Sequence, residues 1–251
     1  IRTLKSHIRD EVIKKGGWVN SHAHADRAFT MTPEKIKIYQ EANLQQKWDL
    51  VDEVKRNSTV EDYYRRFSQA IELMISQGVT AFGTFVDIDQ VCEDRAILAA
   101  HKAREVYKND IILKFANQTL KGVIEPNARK WFDIGSEMVD MIGGLPYRDE
   151  LDYGKGLEAM DILMEKAKSQ GKMLHVHVDQ FNSQKEKETE QLCDKSLEHG
   201  MQGRVVAIHG ISIGAHPREY RQMLYKKMKS VDMMMIACPL AWIDSPRKDE
   251  V

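Results

Sequence analysis

The sequence predicts an α/β protein of the (β/α)8 barrel type that stops after its seventh strand. Three observations predict it. Seven short apolar runs recur at 17–21, 79–86, 111–116, 138–142, 173–178, 205–209 and 233–238, each rich in the residues that strands buried on both faces carry. Amphipathic stretches separate them, which is the pattern of parallel βαβ units. The competing open sheet of a dinucleotide-binding fold needs a Gly-rich turn after its first strand, and here that strand runs into Asn20-Ser21-His22-Ala23-His24 with no GxGxxG.

The elements follow in order. Thr59 suits a helix N-cap, with Asp62 three residues on, and the helix it opens shows an apolar face through Ala70, Ile71, Met74 and Ile75. Further helices fit 91–107, 156–170, 185–199 and 217–229. Gly78, Gly171 and Gly200 stand just past three of these helices, where left-handed caps favour glycine. The longest connection, 27–59, contains Trp48 and reads as a loop or a short helix.

Bulk properties narrow the function. With 251 residues, 42% of them hydrophobic, the chain can form one large domain, and α/β barrels commonly fill about 250 residues. A formal net charge of −1 leaves no basic stripe for nucleic acid. No apolar run approaches the ~20 residues of a membrane span, and residues 1–15 are too charged for a signal peptide. Cys92, Cys193 and Cys238 are scattered without a CxxC pair, which argues against a disulfide framework or a cysteine zinc site and for a reducing, cytoplasmic setting.

The chemistry concentrates in histidines. His22, His24, His177 and His209 fall at or beside the C-terminal ends of predicted strands, where barrel active sites lie. A period of two puts His22 and His24 on one face, an arrangement suited to chelating a metal. His175 and His177 also share a face. His177 lies nearer the strand end and is the better ligand, while His175 fits either a ligand or a buried core residue. His7, His101, His199 and His216 fall on helices or loops and read as surface residues. Neutral imidazoles suit zinc, iron and related ions, and a catalytic ion keeps a position for water, whose pKa it lowers. Asp26 and Asp179 are candidates to move the proton or to orient a histidine.

These residues resemble the amidohydrolase superfamily, within it the cytosine deaminase-like group, over about residues 17–242. Asn20-Ser21-His22-Ala23-His24-Ala25-Asp26 is similar to its HxHxD signature, and Gly78-Val79-Thr80 through Phe85-Val86-Asp87 to its second-strand segment. Gly143-Gly144-Leu145-Pro146, His177-Val178-Asp179, Ala207-Ile208-His209-Gly210 and Cys238-Pro239-Leu240 are similar to the endings of strands four to seven. The resemblance implies that His22, His24 and His177 hold one divalent ion, Zn2+ or Fe2+, and that His209 lies beside the water and a small-molecule substrate. Gln118 corresponds to a glutamine that contacts a pyrimidine ring.

Two departures stand out. Gln180 occupies the place of a proton-shuttling Glu; an amide cannot shuttle a proton but can hydrogen-bond a substrate carbonyl. The family's metal-binding Asp follows an eighth strand, and the sequence ends at Val251. Residues 1–16 therefore read as a lead-in left from the family's small β-sandwich, and 17–251 as a barrel lacking its C-terminal part. The expected function is hydrolysis of a C–N bond, by deamination or amide or amine hydrolysis, in a small nitrogen-rich cyclic substrate. The alternative is a catalytically silent, metal-free barrel that binds a small molecule. A homo-oligomer fits either. A cytidine deaminase-type zinc site would need Cys-x-x-Cys and His-x-Glu, and a serine hydrolase would need Gly-x-Ser-x-Gly; the sequence has none of these.

Overall fold

The computed structural model describes residues 3–118 and 120–239, Leu44 by its backbone. The chain divides into two compact units, Ile1–Leu120 and Lys121–Val251, each built on its own parallel sheet.

The first unit contains α1 (Leu4–Lys14), β1 (Trp18–Asn20), a 3-10 turn at Ala25–Arg27, α2 (Pro33–Glu41), α3 (Leu44–Asn57), α4 (Val60–Ser76), β2 (Val79–Asp87), α5 (Arg95–Tyr107) and β3 (Ile112–Gln118). Its strands lie in the order β1-β2-β3, with Asn20 beside Phe82 and Asp87 beside Gln118. The register therefore gathers the C-terminal ends of β2 and β3. Helix α4 starts on a complete capping box: Thr59 Oγ1 accepts from Asp62 N at 3.2 Å, and Thr59 N donates to the Asp62 carboxylate at 3.0 Å. Its buried residues Tyr63, Phe67, Ala70 and Ile71 form one stripe at helical spacing. Helix α5 buries Ala96, Ala99, Ala100 and Ala103, small residues that allow close approach to its neighbours.

The lead-in carries α1, with Thr3 capping it by accepting from Ser6 N at 3.2 Å. The connection 27–59 holds two helices, and α3 carries its own capping box between Asn43 and Gln46. Trp48 is buried in it, and so is Lys55, a charge that shows no hydrophobic signal in the sequence.

The second unit contains α6 (Pro126–Met138), β4 (Ile142–Gly144), α7 (Pro146–Tyr153), α8 (Gly156–Ser169), β5 (Leu174–Val178), α9 (Glu188–Glu198), β6 (Val205–His209), a 3-10 turn at Ile211–Gly214, α10 (Arg218–Ser230) and β7 (Met234–Ile236). The sheet order is β4-β5-β6-β7. All five β5 residues are buried, as expected of a strand covered on both faces. Ala159, Met160, Leu163, Met164 and Ala167 supply the buried face of α8. The fourth strand begins at Ile142 rather than at residue 138, because Met138 still belongs to α6. Its Gly144 is a packing requirement: a Cβ there would sit 2.3 Å from Leu163 Cδ1. Among the described residues no helix is long and apolar enough to cross a membrane.

Candidate functional site

In the first unit, the segment after β1 is pegged to β2 by backbone bonds. Phe85 N donates to the Ala23 carbonyl at 2.8 Å, and Ala25 N donates to Thr84 Oγ1 at 3.0 Å. This anchoring brings the His22 and His24 rings within 5.1 Å of each other, at 89°, and both rings lie against Phe85, at 5.1 and 5.6 Å. The pair lies beyond the end of β1, so its closeness comes from this anchoring and not from strand alternation. Asp26 is fully buried, and its carboxylate accepts from Asp87 N at 2.9 Å, so it pins the turn to the end of β2.

Arg27 adds a feature with no signal in the sequence beyond its place three residues after His24. Its Nη2 stands 2.5 Å from His24 Nδ1. A guanidinium only donates, so Nδ1 is the acceptor and the ring proton sits on Nε2. Arg27 Nε also faces Asp87 Oδ2 at 3.6 Å and Asp26 Oδ1 at 3.8 Å. Behind them Lys55, fully buried, contacts Asp89 and pairs with Asp52 at 3.1 Å and Asp87 at 3.9 Å. Burial pushes Asp87 up to about 7, although Arg27 and Lys55 pull the other way. Burial also opposes the charge on Asp89, yet Lys55 and the Val91 and Cys92 amides hold it below the usual carboxylate range. Gln118, beside Asp87, is buried, and its Oε1 has no hydrogen-bonding partner among the described residues. An unsatisfied buried acceptor costs about 1–3 kcal/mol, which a bound donor would offset.

In the second unit, β5 and β6 are in register with Val178 beside His209. His177 is buried, and its Nδ1 lies 3.2 Å from the Gly144 carbonyl oxygen. A carbonyl only accepts, so Nδ1 donates and the ring lone pair is on Nε2. That is the tautomer in which histidine ligates a metal through Nε2, fixed by an outer hydrogen bond. The His209 ring lies 5.2 Å from that of His177. His209 holds φ +78° and Gly210 φ +59°. The non-glycine residue in this left-handed region carries strain of about 1–3 kcal/mol, and a Cβ on Gly210 would sit 2.0 Å from Met235 Cε. Burial lowers both His175 and His209 to about 4, so both rings are neutral at pH 7.

Asp179 has another occupation. Its Oδ1 accepts from Glu188 N at 3.0 Å and its Oδ2 accepts from Thr189 Oγ1 at 2.5 Å, while Asp179 N donates to Glu188 Oε2 at 2.7 Å. It thus ties the end of β5 to the start of α9, whose N-cap Lys187 makes no side-chain cap bond. Burial, then the charge of Asp179, raises Glu188 well above the usual range. Gln180 follows, half-buried, and Phe181 beside it packs edge-on against Tyr147 at 5.3 Å. Of the histidines read as surface residues, His7 is exposed and His101 and His199 are half-buried. His216 is a correction: it is buried, donates from Nε2 to the Glu186 carbonyl at 2.8 Å and stacks on Tyr220 at 4.0 Å. Leu240 and Trp242, which closed the stretch of resemblance, lie outside the described residues.

No protein-family model matches the chain. An uncharacterized protein of Haemophilus influenzae is 80% identical over 251 residues, covering 100% of this chain and 91% of its own. The N-isopropylammelide isopropyl amidohydrolase of a Pseudomonas species is 24% identical over 94% of this chain and 60% of its own. The crystal structure of the 5-methylcytosine deaminase of Klebsiella pneumoniae with phosphonocytosine superposes with a TM-score of 0.81 at 25% identity, over 91% of this chain and 55% of that one. The chain is similar to enzymes of the amidohydrolase superfamily. Its parallel βα units are those of the superfamily's α/β barrel fold, and the N-isopropylammelide isopropylaminohydrolase of Burkholderia multivorans shares that fold, with a TM-score of 0.64 at 21% identity over 88% of this chain. The chain spans little more than half the length of the characterised relatives it matches.

Proposed function

We propose that the protein hydrolyses a C–N bond that joins an amine to a small, nitrogen-rich heterocycle. His22, His24 and His177 would hold one divalent ion, Zn2+ or Fe2+. The observation that carries this reading is the His177 tautomer: Nδ1 is committed to the Gly144 carbonyl, and the lone pair is left on the nitrogen that ligates metals. A bound ion of this kind makes a water nucleophilic near neutral pH.

The chain's own residues supply the rest. His209, a neutral ring 5.2 Å from that of His177, is placed to hydrogen-bond the attacking water and to help pass its proton to the leaving amine. Gln180 and Gln118 offer amides for the ring nitrogens and carbonyls of the substrate; the buried Oε1 of Gln118 suits a ring or exocyclic N–H. Asp179 holds the end of β5 and with it the placement of His177 and Gln180. The named reactions of the relatives, on 5-methylcytosine and N-isopropylammelide, support an aminated six-membered ring as the substrate class. Gln180, which cannot shuttle a proton, favours release of an alkylamine over simple deamination. The three free cysteines suit a cytoplasmic setting.

The test is an assay of ammonia and alkylamine release over a panel of aminopyrimidines and alkylaminotriazines. We expect turnover of at least one compound, and a loss of about 10²–10⁴-fold in kcat in His209→Asn, the usual contribution of a positioned acid–base group. Turnover that survives His209→Asn unchanged would contradict the role given to His209.

A further inference from the structure

We propose that Arg27 controls whether His24 can ligate an ion, by holding its ring in the wrong tautomer until the guanidinium moves onto Asp87 and Asp26. This rests on the proposed metal role of His24. Arg27 Nη2 donates to His24 Nδ1 at 2.5 Å, so the lone pair of the ring faces the guanidinium and Nε2 carries hydrogen. A neutral imidazole in that state cannot give Nε2 to a metal. His177 stands in the opposite state, with Nδ1 on a carbonyl. The two rings are therefore prepared differently for the same task.

The structure also supplies a place for Arg27 to go. Its Nε makes no hydrogen bond among the described residues and faces Asp87 Oδ2 at 3.6 Å and Asp26 Oδ1 at 3.8 Å. Asp87 is fully buried, and neither of its carboxylate oxygens has a hydrogen-bonding partner there. Asp26 Oδ1 likewise lacks one. Two buried acceptor groups thus stand just beyond bonding distance of Nε while Nη2 of the same guanidinium is engaged on His24. A shift of less than about 1 Å would turn these approaches into charge-assisted hydrogen bonds of ordinary length. Turning the guanidinium further, so that Nη2 as well as Nε bonds the two carboxylates, strips His24 Nδ1 of its donor and lets the ring take its proton there, leaving Nε2 for the ion. Arg27 is a positioning residue in this scheme, one that acts through His24 and exchanges one hydrogen bond for others.

The experiment pairs crystal structures of the wild-type protein, without metal and soaked with Zn2+, with Zn2+ affinities from chelator competition for wild type and Arg27→Met. We expect Arg27 on His24 in the metal-free crystal and on Asp87 or Asp26 in the soaked one. We also expect binding at least about tenfold tighter in Arg27→Met, which has no charged hydrogen bond to break. A metal-free crystal with Arg27 away from His24, or a soaked crystal with Arg27 still on Nδ1, overturns the inference alone. Affinity unchanged or weakened in a folded Arg27→Met does the same. No Zn2+ binding by either protein overturns the proposed hydrolase and this inference with it.

Discussion

Single side chains in this protein are defined by partners that leave no choice of proton position. The Gly144 carbonyl fixes His177 in one tautomer and the Arg27 guanidinium fixes His24 in the other. Asp87 is set by its surroundings too: burial raises it to about 7 despite Arg27 and Lys55. A carboxyl raised on folding contributes stability that is complete below its unfolded value near 4, and that is lost as pH rises through about 7. Asp87→Asn removes this term. Relative to wild type, it should therefore gain stability between pH 4 and 8, by about 1.4 kcal/mol per unit of pKa difference. Urea titrations at pH 4.5, 6 and 8 check this, and a constant difference across the range contradicts it. The histidines were legible in the sequence because they cluster at or just past the ends of apolar runs. Arg27, Lys55 and Asp87 were not, because their meaning comes from α3 and β2 meeting the turn after β1, residues distant in sequence. Asp179 reads in sequence as a group that moves a proton or orients a histidine, and its bonds to Glu188 and Thr189 also tie β5 to α9.

At the scale of elements, local signals carried most of the reading. The Thr59 and Asp62 pair closes the capping box expected of it, and Gly78, Gly171 and Gly200 all take positive φ after their helices. Thr59→Ala should lower stability by about 1 kcal/mol, measured by urea denaturation, since it leaves the Asp62 amide without its acceptor. Val205–His209 matches its apolar run end to end. The apolar run sets the fourth strand too early because that run closes α6, while the Gly143-Gly144 ending given by the resemblance falls on the strand. The 27–59 stretch read only as a loop or a short helix because the faces of α2 and α3 are largely polar, and the structure holds α3 by burying Trp48 and the paired Lys55, neither of which makes an apolar stripe.

Over the whole molecule, each unit prepares histidines at the C-terminal ends of its own strands: His22 and His24 after β1, His177 and His209 on β5 and β6. The proposed ion takes His22, His24 and His177 as ligands, so metal retention depends on side chains more than 150 positions apart in sequence, as His22 and His177 are. The most direct measurement is elemental analysis of the purified protein beside His22→Ala/His24→Ala and His177→Ala, each checked for folding by circular dichroism. Close to one zinc or iron per wild-type chain, lost in both variants, is the predicted result. No divalent metal in the wild type even after reconstitution, or equal metal in all three proteins, would contradict a hydrolytic ion held by these histidines.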